Sequence, residues 1–168
     1  LAYAVRWSVV GAGSAGGDAG RFVGLLRVDG RPRRVHEAVV EVAPRQDMGR
    51  GPLGHRFIVP ITGGRFDGPT LRGTVLPGGA DRQLLRDDGV RELDALYELR
   101  TDDGVLLTVH NQVLIDDPPG GPRYAFSHVR VTAPEGPYAW LNRRVLVGTL
   151  QNLQPERPAV HIRVHQLV

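Results

Sequence analysis

A lone carboxylate beside a run of glycines has the clearest chemical potential in this sequence. Asp81 follows Pro77-Gly78-Gly79-Ala80, and backbone without side chains lets a ligand approach closely. Set against an apolar pocket, such a carboxyl has its pKa raised by desolvation and serves as a general base. The structural alternative is that Asp81 pairs with an arginine or caps a short helix. Asp102-Asp103-Gly104 reads more simply as a hairpin turn, its aspartates bonding backbone amides.

Other chemistry-bearing patterns are weaker. Val9-Val-Gly11-Ala-Gly13-Ser-Ala-Gly16 matches the dinucleotide fingerprint, which requires a helix opening at its last glycine to hold the pyrophosphate. Gly17-Asp18-Ala19-Gly20 and a strand-like run from Arg21 follow instead, so a glycine-rich hairpin loop is the better reading. His161 and His165 would share one face of a strand at a distance from each other. The remaining histidines lack a close ligand partner in sequence, and no metal is expected. There is no cysteine, hence no disulfide, thiolate metal site or cysteine nucleophile. All 21 basic residues are arginine, which excludes Schiff-base chemistry on a lysine. No nucleophile-elbow sequence appears.

The elements that must carry these residues are short strands. The chain has 168 residues and 41% apolar content, room for a single domain with one core. Its 22 glycines and 13 prolines favour many turns over long helices. Period-two alternation dominates: Tyr3–Val10, Arg21–Val28, Arg34–Val42, His55–Ile61, Thr70–Leu76, Glu92–Thr101, Val105–Ile115, Arg123–Thr132, Asn142–Leu150 and Pro158–Val168. Turns are expected at Gly63-Gly64, Pro77-Gly78-Gly79, Asp88-Gly89, Asp103-Gly104, 116–121 and 134–137. Ala80–Arg86 and Tyr138–Arg143 could each hold a turn or two of helix. About ten strands exceed what a flat open sheet usually carries, so the fold class is all-β. A single antiparallel β-barrel or a strongly curved sandwich is expected, with residues 1–36 as an extra N-terminal hairpin. One polar strand face, such as His161, Arg163 and His165, either meets solvent or lines a cavity.

Charge narrows the partners. The net charge of +3 and pI near 9.9 come from arginines interspersed with 18 carboxylates. Nucleic-acid binders gather cations and stacking aromatics on one face, so no nucleic-acid partner is expected. No apolar run is long enough for a membrane-spanning helix. A cytoplasmic location is expected from the lack of a signal-peptide pattern.

Several segments in order resemble a known family. They are Gly54–Pro69, Leu71-Arg-Gly73, Leu76-Pro-Gly-Gly-Ala-Asp81, Asp88-Gly89, Leu93-Asp-Ala95 with Tyr97, Thr101–Gly104, Tyr138-Ala-Trp-Leu-Asn142 and Val147-Gly148. From about Val39 onward the chain resembles the bacterial and fungal domain of unknown function 3237, also called UPF0311. The resemblance implies a single antiparallel β-barrel with no common activity or cofactor, and weakly suggests small organic compounds as ligands. In the matched segments, Arg65, Asp81, Tyr97, Trp140 and Asn142 could converge at a barrel mouth, or Arg65 could form a structural ion pair with Asp81 or Asp67. Arg82 stands where the family often has Trp. Tyr124-Ala-Phe126-Ser127-His128 departs from its usual arginine after an aromatic pair, which makes His128 a candidate contact of a specialised pocket.

The expectation drawn from these residues is a cofactor-independent enzyme for a hydrophobic or aromatic metabolite, of isomerase, cyclase or lyase type. Asp81 would move a proton, Tyr97 and Arg65 would stabilise an oxyanion, and Trp140 would stack on a substrate that Asn142 and His128 also contact. The alternatives are a non-catalytic binding barrel and a homo-oligomeric scaffold paired through an edge hairpin at residues 3–28.

Overall fold

A computed structural model describes residues 31–168. Ten strands run in order: β1 Pro32–Val42, β2 Gln46–Gly51, β3 Gly54–Asp67, β4 Gly73–Val75, β5 Ala80–Leu85, β6 Arg91–Thr101, β7 Leu106–Asp116, β8 Tyr124–Thr132, β9 Leu146–Asn152 and β10 Ala159–Leu167. All pairings are antiparallel, in the order β1-β10-β9-β8-β7-β6-β4-β3-β2, with β5 also bridging β3 and β6. The β1–β3 pairing, from Glu37↔Asp67 to Val42↔Ile61, closes the sheet on itself. The fold is therefore an eight-stranded barrel whose β4 and β5 share one position in the wall, with β2 as a hairpin partner of β3. Closure removes the open sheet edge that a ten-stranded array would otherwise present.

Alternation decides what points inward. On β6, Leu93, Ala95, Tyr97, Leu99 and Thr101 are buried, while Asp94, Leu96 and Arg100 are exposed. On β10, Val164 and Ile162 are buried and Arg163 faces out. The polar face of β10 is thus the outer one, where His161 lies 3.1 Å from Glu37 of β1. At one end Leu99, Leu107, Leu141 and Leu146 fill the interior at 2% exposure or less, a dry plug of large aliphatic side chains.

Two local readings of the sequence are corrected. Gly63-Gly64 is not a turn; β3 runs through it. Gly64 sits at φ 138°, and any Cβ there would strike the Val39 carbonyl of β1. The glycine lets two backbones touch where the barrel closes. Ala80–Leu85 is strand β5, not helix, because Asp81 and Gln83 must alternate inward between β3 and β6. By contrast, a short 3-10 helix does occupy Ala139–Arg143. The glycine fingerprint at 9–16 and the hairpin expected over residues 3–28 lie outside the described residues. Residues 32–36, expected in an extra hairpin, open β1 of the barrel wall.

Candidate functional site

Above the leucine plug the barrel is hollow. A cavity of about 570 Å³ is lined from every side of the wall, by Val40 and Val42 of β1, Val59 and Ile61 of β3, and Leu150, Val160 and Ile162 of β9 and β10. That volume is typical of small-molecule sites, and the lining combines apolar side chains with polar and charged ones. Strand register arranges the polar groups in layers. Asp81 pairs with Ala95, and Ala95 pairs with Asn111, so these three form one row across β5, β6 and β7. Neighbouring strands lie about 4.8 Å apart, which puts the Asp81 and Asn111 backbones about 10 Å apart with only a methyl group between them. Tyr97 stands one layer deeper on β6, and Gln83 one layer nearer the opening. Arg91, Arg45, Arg123, Asp117, Asn152 and Gln154 surround the mouth.

The deep rows hold buried polar groups that few protein partners satisfy. Asp81 accepts a hydrogen bond from Gln83 Nε2 at 2.7 Å through Oδ2, while its other oxygen, Oδ1, is buried with no hydrogen-bond partner among the described residues. Burial raises its pKa above the ordinary 3.8, the Gln83 bond and an Asp94 backbone N–H oppose that rise, and the Asp94 carboxylate adds to it. Asn111 is 1% exposed, and its Oδ1 is also without a partner among the described residues. Buried acceptors are nearly always satisfied, so two orphans in the wall of one cavity make it the candidate site. Tyr97 is fully buried, which pushes its phenol pKa up and keeps the hydroxyl protonated as a donor. Its Cβ packs at 2.5 Å from where a Gly79 side chain would begin. The Pro77-Gly78-Gly79 bend therefore serves to seat Tyr97.

Of the residues singled out in the sequence, Asp81 and Tyr97 come together in the cavity and the other four do not. Arg65 is exposed on β3 between buried neighbours of the opposite face. It cannot reach an oxyanion inside the barrel, because a strand sends successive side chains to opposite sides. Neither proposed ion pair forms: Asp67 has Arg72 at 3.9 Å, and Asp81 has Gln83. Trp140 packs on the outside of the core from the 3-10 helix. His128 is exposed on β8 and shares a separate hollow with Asn142.

Asn142 has a structural task there. Its Oδ1 accepts from the Ala133 N–H at 2.9 Å, and its Nδ2 donates to the Ala133 carbonyl at 2.8 Å. The amide thus ties the 3-10 helix to the end of β8. Asn142→Ala is expected to lower stability by about 1–3 kcal/mol, since both Ala133 backbone groups lose their partner. Ligand affinity in the main cavity should stay unchanged. A denaturant melt and a binding titration of the variant check both halves.

The residues missed by the sequence reading are Asn111, Gln83 and the arginines at the mouth. For Asn111 a signal existed: Leu107, Val109, Val113 and Ile115 alternate on one face, and a lone amide interrupts them. Arg45 lies between strands, where no periodicity marks a direction, and Arg123, expected to open a strand, lies just before β8.

A closed antiparallel barrel with a side-chain-lined interior cavity defines the class of protein, and comparison with known proteins supplies the family. The family described as "Protein of unknown function (DUF3237)" matches residues 33–167. The chain belongs to this family, which begins a few residues earlier than the sequence resemblance suggested. A UPF0311 protein of Rhodopseudomonas palustris is 33% identical over 128 residues, covering 68% of this chain and 82% of that protein. A UPF0311 protein of Clostridium acetobutylicum is 44% identical over 59 residues, 35% of this chain and 37% of its own length. Among solved structures, a conserved protein of unknown function from Rhodopseudomonas palustris superposes with a TM-score of 0.76 at 30% identity, over 83% of this chain and 98% of that one. An enzyme from Penicillium herquei shares the fold, with a TM-score of 0.67 at 24% identity over 83% and 95% of the two chains.

Proposed function

We propose that the barrel takes a small organic molecule with an apolar body into its cavity and transfers a proton on it through Asp81. The observation that carries this reading is the Asp81 carboxyl itself: buried in the wall of a cavity large enough for a metabolite, raised in pKa, and with one oxygen unpartnered. A carboxylate that is costly to desolvate is a stronger base than one in water, and lowered charge stability is what catalytic carboxyls are tuned towards. Asp81 would take a proton from one atom of the substrate and return it to another. The net change is then isomerisation, ring closure or its reverse, with atoms and electrons balanced without an external oxidant. Tyr97, held protonated, and the Asn111 amide are the groups placed to donate to an oxygen that gains negative charge; this role passes to them from the outward-facing Arg65. A relative by fold being an enzyme is compatible with this reading.

The test begins with the ligand. Protein purified gently from its producing cells is examined by native mass spectrometry, the released molecule is identified, and it is then incubated with the enzyme in deuterated water. Deuterium should enter the substrate or its product in the presence of the wild type. Asp81→Asn should slow that incorporation by about 100- to 10,000-fold, the usual worth of a positioned general base. Incorporation at the wild-type rate in Asp81→Asn would remove Asp81 from the chemistry.

A further inference from the structure

The polar groups of the cavity are separated into two kinds at two depths, and that separation selects a ligand. The deep row offers acceptors: Asp81 Oδ1 and Asn111 Oδ1, both buried and both unpartnered among the described residues. The mouth offers cations. Arg91 joins no ion pair among the described residues. Arg123 donates Nη1 to the Leu150 carbonyl at 3.2 Å, leaving its other donors free. Arg45 lies with its guanidinium carbon 4.1 Å from the centre of the Phe57 ring, which occupies its face and leaves its N–H edge available. Asp117 is the carboxylate among the mouth residues, so three positive charges face one negative. Between the two ends the wall is Val59, Leu93, Val113, Leu150 and Ile162. Arg91 and Ala95 are four residues apart on β6, about 13 Å at a strand rise of about 3.3 Å.

We propose that the ligand is a hydroxylated organic acid: an apolar body with a hydroxyl donating to the Asp81 carboxylate in the deep row beside Asn111, and an anionic group held by Arg91, Arg45 and Arg123 at the mouth. The inference rests on the reading of the cavity as a small-molecule site and adds the chemical class and the direction of entry. Ala95 is what makes the deep row usable. Its methyl group leaves a gap between the two acceptors that a larger side chain would fill. A hydroxyl bound there also presents its proton to the carboxylate that the proton-transfer reading requires. Guanidinium groups suit the mouth because they stay charged and present paired N–H donors to a carboxylate.

The probe is 4′-hydroxybiphenyl-4-carboxylate, compared by calorimetry with its methyl ether and with neutral 4-hydroxybiphenyl. The hydroxy acid is expected to bind at least about tenfold more tightly than the ether, because the ether has no proton to donate to Asp81. It should also exceed the neutral phenol by several-fold, with a margin that shrinks as salt is added. Ala95→Leu should erase the preference for the hydroxyl while both acceptors remain. Arg91→Gln should reduce the preference for the acid and leave the hydroxyl preference in place. Equal binding of ether and phenol, equal binding of acid and neutral compound, or no binding of any probe at about 1 mM would overturn the assignment. The two readings fail separately. Both preferences without Asp81-dependent proton transfer would keep the ligand class and end the catalytic reading. Asp81-dependent transfer on a substrate that lacks either group would do the reverse.

Discussion

Asp81→Asn is expected to melt at a higher temperature than the wild type at pH 7, and the gap should close as the solution is acidified. Burial raises this carboxyl above its ordinary 3.8 in the folded chain. Between 3.8 and the folded value, the native state holds the proton more firmly than the unfolded chain does. The group's contribution to stability is therefore complete below the unfolded pKa and is lost as the pH rises through the folded one. At neutral pH the wild type carries a buried charge that asparagine does not, while asparagine retains an acceptor for Gln83. Each pH unit of elevation corresponds to about 1.4 kcal/mol, and a chain of this size gains about 2–4 °C for each kcal/mol. Glu37, Asp47, Asp88 and Asp103 all have lowered pKa values, set by hydrogen bonds from Arg34, His55, the Val90 amide and Thr101 respectively. Their opposite pH dependence cancels in the difference between variant and wild type. The charged neighbour that matters directly is Asp94, itself 2.6 Å from His110. Melting curves of both proteins from pH 7 to pH 4 decide the matter. A variant less stable than the wild type at pH 7 would show that the carboxylate is a structural partner. A stability gain joined to lost turnover is the pattern of a residue kept for chemistry.

His36 should impose the opposite dependence. It is 1% exposed on β1, its ring edge-on to Phe66 at 5.7 Å, and its Nδ1 has no partner among the described residues. Desolvation lowers its pKa from 6.5 to about 4. The unfolded chain therefore binds the proton first as the pH falls, and stability present above 6.5 is lost progressively down to about 4. At about 1.4 kcal/mol per pH unit the loss across that window is about 3 kcal/mol. This is a large share of the about 5–15 kcal/mol that holds a domain together. In His36→Leu that component of the acid loss should vanish. The difference in unfolding free energy between the two proteins, measured by denaturant titration at pH 7 and at pH 4, should change by about 3 kcal/mol. An unchanged difference would mean that His36 is protonated or solvated in the folded chain. The two groups bracket the pH range of the barrel, one favouring acid and the other resisting it.

The architecture was legible because strand alternation is local. Leu93, Ala95, Tyr97 and Leu99 declare a buried face from neighbours two residues away, and the number of such runs forces curvature and closure. The 3-10 helix at Ala139–Arg143 was visible for the same reason. β5 was not, since Ala80-Asp-Arg-Gln-Leu-Leu85 contains no β-branched or aromatic residue and becomes a strand only through its partners β3 and β6. Half of the catalytic proposal was also readable: Asp81 and Tyr97 carry chemistry by residue type and lie in segments shared with relatives. Which residues join them was settled by register. Arg65 had suitable chemistry and the wrong face, whereas Asn111 looked like an interruption in an apolar run and lies one strand beyond Ala95 from Asp81. Local residue patterns were enough for most of the strands and their inward faces, and for a carboxyl beside a glycine bend. Which side chains meet came from the folded chain, because residues such as Asp81 and Asn111 lie thirty positions apart and reach one level only through the pairing of β5 and β7 with β6.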